Sequence, residues 1–201
     1  TDGEQLVILV MDHSASLIGG DESDPTGDPA RASDPDDRRI DFFTGLVASL
    51  PAETHFAVVK MAGLFATTTA GSDAPTTDRE PVLSALEALR TDESGGTPLA
   101  RGLIDAAAIA DTRPDLQAHI VLFTDGAEDG DTSQRPDRPD PSSLEDALTV
   151  IVQRQAPINV HVVHLQRAGD AEFPLGRNPQ LAEMACLSGG DYHFVDAPSA
   201  L

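Results

Sequence analysis

Tryptophan is absent, tyrosine occurs once, and aromatic residues make up only 4% of the 201 residues. A binding surface built on stacked rings is therefore not to be expected. Lysine is almost missing: Lys60 is the only one, and every other basic side chain is arginine. With 34 acidic against 13 basic residues the formal net charge is −21. Such a surface repels phosphate backbones and anionic lipid, which argues against nucleic-acid and membrane-surface partners. Cys186 is the sole cysteine, so no internal disulfide can form, and the redox compartment stays open. No apolar run approaches the roughly 20 residues of a membrane span. The first residue is Thr1 rather than methionine, which suggests a processed or excised piece.

What the chain does have is alternation. Leu6 to Met11 is a continuous apolar run of strand length, the pattern of a strand covered on both faces. Asp37 to Leu50 places Ile40, Phe43, Leu46, Val47 and Leu50 at helical spacing, and Pro51 stops it. "HFAVVKMAG" and "LFATTTA" read as a strand and a short antiparallel edge partner, and "DREPVLSALEALR" as a helix with Pro81 in its first turn. A small-residue helix to about Asp111 follows the glycine pair of "SGGTPLARG". Strand "AHIVLFTDG", helix "LEDALTVIVQRQ", strand "INVHVVHL", helix "NPQLAEMACLS" and a last strand "DYHFVD" complete the series. The expected fold is α/β: a Rossmann-like, doubly wound, mostly parallel six-stranded sheet, with one short antiparallel edge strand and helices on both faces. One domain is expected over residues 1–201, interrupted by acidic loop insertions at about 19–37 and 127–143.

The apolar run ending at Met11 opens straight into Asp12, Ser14 and Ser16. In open α/β sheets, ligands gather beyond the carboxyl ends of the strands. Asp125 follows another buried strand, and Thr97 sits at a helix start behind two glycines. Carboxylates and hydroxyls without His or Cys make a hard-oxygen site, suited to Mg²⁺, Mn²⁺ or Ca²⁺ rather than zinc. So few anionic ligands would leave the ion electrophilic and open to a carboxylate from outside.

"DHSAS" after a strand, "GGTPL" before a helix and "FTDG" after a later strand resemble the von Willebrand factor A (VWA) domain and its metal-ion-dependent adhesion site (MIDAS). The resemblance covers nearly the whole chain in element order. It implies Ser14, Ser16 and Thr97 as direct ligands, with Asp12 and Asp125 acting directly or through water. It implies a divalent-cation-dependent interaction or adhesion domain, not an enzyme, that captures an Asp or Glu carboxylate of a protein or peptide partner. The charge of this chain makes a basic surface around that carboxylate the expected match. Ala15 stands where the family often has glycine, and the long acidic insertion is unusual for it. The compartment is left open, with an extracellular or envelope setting favoured over the cytoplasm. Two other readings stand beside this one: an intracellular adaptor or assembly factor working with an ATPase, as in some bacterial members, and a metal-dependent phosphatase. The second lacks a second aspartate two places after Asp12, where Ser14 stands, and has no lysine near the motifs. In the family a closing helix follows the last strand. Here only "APSAL" does, so the native chain is expected to run past Leu201.

Several other residues invite attention. His161 and His164 lie three apart on a strand and should face opposite sides, which suits structural or surface roles. His13, at a non-ligand place of the motif, is expected to be exposed. Cys186 falls on an apolar helical stretch and is expected in the core. The first acidic tract lacks the spacing of an EF-hand loop and is expected to be a solvated loop.

Overall fold

The computed structural model describes residues 4–19, 32–34, 36–63, 65–71, 74–91, 93–126, 143–154, 156–166 and 178–196. Most of both acidic tracts and the final "APSAL" lie outside these residues, and so do the expectations placed on them. Strands β1 (Gln5–Asp12), β2 (His55–Ala62), β3 (Phe65–Ala70), β4 (Gln117–Thr124), β5 (Ile158–Gln166) and β6 (Tyr192–Asp196) form one six-stranded sheet in the order β3-β2-β1-β4-β5-β6. All neighbours are parallel except β2 and β3, the antiparallel edge hairpin. The helices are α1 (Arg38–Ser49), α2 (Arg79–Glu87), α3 (Leu99–Asp111), α4 (Leu144–Val152) and α5 (Pro179–Ser188).

The continuous apolar runs arise because both faces of the sheet are covered. Leu6, Ile8 and Val10 of β1 pack in a core with α3, α4 and α5, while Val7, Leu9 and Met11 pack with α1 and α2. Helix α3 lies close on the sheet through small residues. A Cβ at Gly102 would meet the Met61 thioether at 2.5 Å, so a larger residue there would require the Met61 side chain or the helix to shift. Local chemistry fixes the helix ends. Ser143 and Asp146 form a reciprocal capping box on α4, and Asn178 caps α5 ahead of Pro179. Gly189 closes α5 in the left-handed region at φ 79°.

One expectation about burial fails, and a second fails at two of the described positions that test it. Cys186 is exposed. Helix α5 buries Leu181, Met184 and Ala185, and the residue after this i, i+3, i+4 stripe points away from it. The first acidic tract is not wholly a solvated loop, because at its far end Ser33 and Asp34 are each only 2% exposed.

Strand β1 is central. The chain moves from it to β2 on one side and later returns to β4 on the other. This reversal leaves a crevice at the carboxyl ends of β1 and β4, the usual ligand position of such sheets.

Candidate metal centre at the carboxyl edge of the sheet

Five of the side chains at this crevice are oxygen donors on three separate segments. Asp12 is the last residue of β1 and is fully buried. Beyond it the chain turns into a short 3-10 helix, Ala15–Ile18, and does so around the aspartate itself: the Ser14 N–H donates to Asp12 Oδ1 at 3.0 Å. The second oxygen, Oδ2, accepts from the Thr124 hydroxyl at 2.7 Å, across 112 residues of sequence.

Asp125 follows β4 directly. Its Oδ1 accepts from the Ser16 hydroxyl at 2.9 Å. The Ser14 and Ser16 hydroxyl oxygens are 2.7 Å apart. With the Ser16 proton committed to Asp125, Ser14 is the donor in that pair. A chain of hydrogen bonds thus runs from the first strand's loop to the fourth strand's end.

Thr97 comes in from the loop before α3. Its side chain is buried and lies against Gly126, where a Cβ would meet the Thr97 hydroxyl oxygen at 3.2 Å. The loop is locked to the motif by its backbone. Ala15 N–H donates to Gly95 O at 3.1 Å, and Ser94 N–H to His13 O at 3.0 Å. Gly95 has φ 72°, and a Cβ there would fall 2.4 Å from the Gly63 Cα at the β2–β3 turn. Only glycine permits both the left-handed backbone and that approach. The structure therefore brings Asp12, Ser14, Ser16, Thr97 and Asp125 to one crevice.

Electrostatics there are unbalanced. Burial, followed by the neighbouring Asp125 charge, pushes the Asp12 carboxyl up to about 6, against the lowering effect of its hydrogen bonds. The donors to Asp12 are a backbone N–H and a hydroxyl, both neutral. An oxygen-lined crevice that raises a carboxyl in this way would be relieved by a cation. The donor set, two carboxylates and three hydroxyls, fits a hard divalent ion. Among the described residues, no group of three or more His, Cys, Asp or Glu side chains could hold a metal. Three of the five donors here are Ser or Thr.

Motif reading missed three residues. Thr124 holds Asp12 as described. Ser33 donates its hydroxyl to Asp125 Oδ2. Arg39 is fully buried. It donates to Asp34 Oδ2 at 2.9 Å, Asp37 Oδ1 at 2.8 Å, Leu89 O at 3.0 Å and Glu93 Oε1 at 2.6 Å. Burial works to lower its basicity, and its bonds to Asp34 and Glu93 more than reverse that, so it stays charged. One guanidinium thereby ties the Ser33 segment, helix α1 and the Thr97 loop together. Helical phase could have found it, since Arg39 shares a stripe with Phe43, Leu46 and Leu50 at i, i+4, i+7 and i+11.

His13 corrects a further expectation: it is 0% exposed. In extended backbone it faces away from Asp12 and Ser14, and its ring meets Thr91. Its Nε2 is 3.0 Å from Thr91 O, and burial, then Lys60, hold its basicity below the usual range. His161 and His164 do face opposite sides. His164 is buried and bonds the Tyr192 hydroxyl at 2.6 Å. His161 meets His119 nitrogen to nitrogen at 3.2 Å, a ring-to-ring hydrogen bond, with Asp191 3.4 Å behind it.

An oxygen-only crevice at the switch point of a doubly wound sheet defines a class of cation-site α/β domains. Within it, residues 7–128, more than half the chain, match the family model for the von Willebrand factor type A domain, and the chain belongs to that family. No curated protein matches. Among solved structures, one similar chain is a von Willebrand factor type A protein from Catenulispora acidiphila. It shows 21% identity and a TM-score of 0.68, over 97% of this chain and 39% of that one. The present chain thus spans well under half of that relative's length. Proximal thread matrix protein 1 from the mussel byssus, with a zinc-occupied MIDAS motif, aligns at 18% identity and TM-score 0.65, over 97% and 42%. The SpRpn10 VWA domain aligns at 11% and 0.64, over 99% and 92%. At these identities the structural likeness speaks for the fold.

Proposed function

We propose that this VWA domain is a divalent-cation-dependent protein-interaction module rather than an enzyme. Asp12, Ser14, Ser16, Thr97 and Asp125 would hold the cation, Mg²⁺ or Mn²⁺ ahead of Ca²⁺. The observation that carries this is Asp12: fully buried, bonded only to neutral donors among the described residues, and pushed up to about 6 beside a second aspartate. A bound cation would supply positive charge between the two carboxylates and an electrophilic coordination position for an outside carboxylate. The zinc-occupied MIDAS of the mussel byssus protein supports a metal at the corresponding place in this fold.

The residues of this chain supply the rest. Thr124 and the Ser14 N–H keep Asp12 oriented with its oxygens directed by fixed donors. Ser16 and Ser14 link it to Asp125 without adding charge. A carboxylate approaching a chain of net charge −21 meets a repulsive field. A partner whose anchoring Asp or Glu is ringed by Lys and Arg overcomes that field and associates faster.

Isothermal titration with Mn²⁺ and with Mg²⁺, followed by capture of Asp-containing peptides with basic flanks, tests the reading. Binding of the metal, and peptide capture that chelator abolishes and salt slows, is the expected result. Failure of the folded protein to bind either ion would overturn it. Metal affinity should fall as pH drops through about 6, because the cation and the Asp12 proton compete.

A further inference from the structure

Ser33 belongs to no recognised motif, yet it is 2% exposed and donates its hydroxyl to Asp125 Oδ2. Ser16 donates to the other oxygen, Oδ1, at 2.9 Å. Each oxygen of Asp125 therefore carries a hydroxyl donor, one from the Asp-x-Ser-x-Ser loop and one from the acidic insertion that follows it. We infer that Ser33 is a positioning residue of the metal site, acting through Asp125, and that Ser33 and Asp34, at the far end of the first acidic tract, thereby belong to the support of that site. The inference rests on the metal-site reading above.

What makes Ser33 more than a passing contact is how its backbone is held. Asp34 N–H donates to Leu17 O at 3.0 Å, fastening the segment to the 3-10 helix of the motif loop. The Asp34 carboxylate accepts from the Arg38 N–H at 2.8 Å, the Arg39 N–H at 3.1 Å and the Arg39 guanidinium at 2.9 Å. The first turn of α1 and a buried cation therefore fix residue 34 without any metal. Ser33, its neighbour, is presented to Asp125 by a frame that already exists. The carboxylate is held at both oxygens before an ion arrives, so little ordering is left to be done on binding.

A carboxylate clamped in one orientation suits a small ion that demands octahedral geometry. It offers less to Ca²⁺, whose larger and looser shell tolerates a swinging ligand. Supporting hydrogen bonds of this kind typically carry about 10–100-fold in metal affinity. The Ser33 hydroxyl should accordingly weigh on affinity for Mn²⁺ and Mg²⁺ more than for Ca²⁺.

The test is a Mn²⁺ titration followed by the electron paramagnetic resonance signal of the free ion. It compares wild type, Ser33→Ala, Ser33→Thr, Asp125→Asn and the Ser33→Ala/Asp125→Asn double variant, with circular dichroism confirming the fold. Ser33→Ala should weaken Mn²⁺ binding about tenfold, at the lower end of that range. Competition with Ca²⁺ should show a narrowed preference, and Ser33→Thr, which restores a hydroxyl, should recover most of the affinity. In the Asp125→Asn background, removing the Ser33 hydroxyl should cost much less, because the neutral amide accepts its hydrogen bond more weakly than the carboxylate does. Wild-type affinity in a folded Ser33→Ala overturns the inference, and so does an equal loss in both backgrounds. If Ser33→Ala does not fold, Ser33→Cys, similar in size with a weak donor, takes its place under the same criteria. Wild type that binds no Mn²⁺ overturns the metal-site reading itself, a result distinct from either.

Discussion

Two aspartates lie buried at the same end of the molecule and are treated in opposite ways. Asp34 is 2% exposed and receives a guanidinium and two backbone N–H groups. Asp12 is 0% exposed and receives one backbone N–H and one hydroxyl, with another carboxylate as its electrostatic neighbour. The first is closed by the chain's own cation. Arg39 also holds Glu93: burial pushes that carboxyl up, and the Arg39 hydrogen bond brings it below its usual range. The second has only neutral donors and a second carboxylate beside it among the described residues. The closed cluster does the work of a strut, holding the Ser33 segment, helix α1 and the Thr97 loop in place through one buried cation shared by Asp34, Asp37 and Glu93. The open one spends folding stability on a site, which is where proteins commonly accept such a cost.

Breaking the closed side should have the largest effect. Arg39→Ala leaves Asp34 and Glu93 buried without their partner, and should cost about 3–5 kcal/mol in denaturant unfolding. Arg39→Lys should recover little, since an ammonium cannot match the planar fork that reaches Asp34, Asp37, Leu89 and Glu93 together. Loss of metal binding should accompany both, as the Ser33 segment and the Thr97 loop come adrift.

Removing the charge on the open side should act the other way. The folded Asp12 carboxyl titrates at about 6 against 3.8 when unfolded. Its protonated form therefore stabilises the metal-free fold fully below 3.8, and that contribution is lost as pH rises through 6. The difference amounts to about 3 kcal/mol at neutral pH. Asp12→Asn should thus raise metal-free stability at pH 7 by up to that amount and leave it little changed at pH 3.5, while abolishing Mn²⁺ binding. Thermal unfolding across pH, with chelator and with Mn²⁺, measures both. An Asn variant less stable than wild type at pH 7 without metal would count against an uncompensated Asp12.

The smallest effect sharpens the contrast. Thr124→Val keeps the shape and deletes the hydroxyl that serves Asp12 Oδ2. Loss of a hydrogen bond to a charged group should cost about 1.5 kcal/mol at pH 7 and drive the Asp12 carboxyl above 6. Carboxyl carbon chemical shifts followed through pH would read that displacement directly.

How much of this was legible in the sequence follows from which interactions are local. Strands announced themselves because a run such as Leu6–Met11 must be apolar on both faces once helices cover them. The edge hairpin and the helix ends were legible through Pro, Gly, Ser and Asn in short stretches. The five candidate site residues could be singled out because each follows a strand or precedes a helix, at the edge where ligands gather. Ser33 could not, and Arg39 only by its helical phase, since their roles exist only across loops distant in sequence. Ser33 meets Asp125 across 92 positions, and Arg39 meets Glu93 across 54. In "DPDDRRIDFF" an arginine beside acids reads as surface charge, and only its phase against Phe43 hints otherwise. His13 and Cys186 went wrong in opposite senses for the same reason: each was judged by its immediate neighbours, and burial was decided by what the fold laid over it.

The hydrogen bonds that close the crevice span 112 residues from Thr124 to Asp12 and 109 from Ser16 to Asp125. Contacts of such separation demand closure of the longest loops in the chain, which is the slow part of building a mostly parallel sheet. The crevice is therefore completed only when β1 and β4 have found each other, and an ion that needs all three segments has nothing to bind beforehand. Ligand binding of that kind acts on the lifetime of the finished protein: it slows escape from the native state and leaves the pace of reaching it unchanged. A cation-loaded domain would owe its endurance to a lock fitted after assembly.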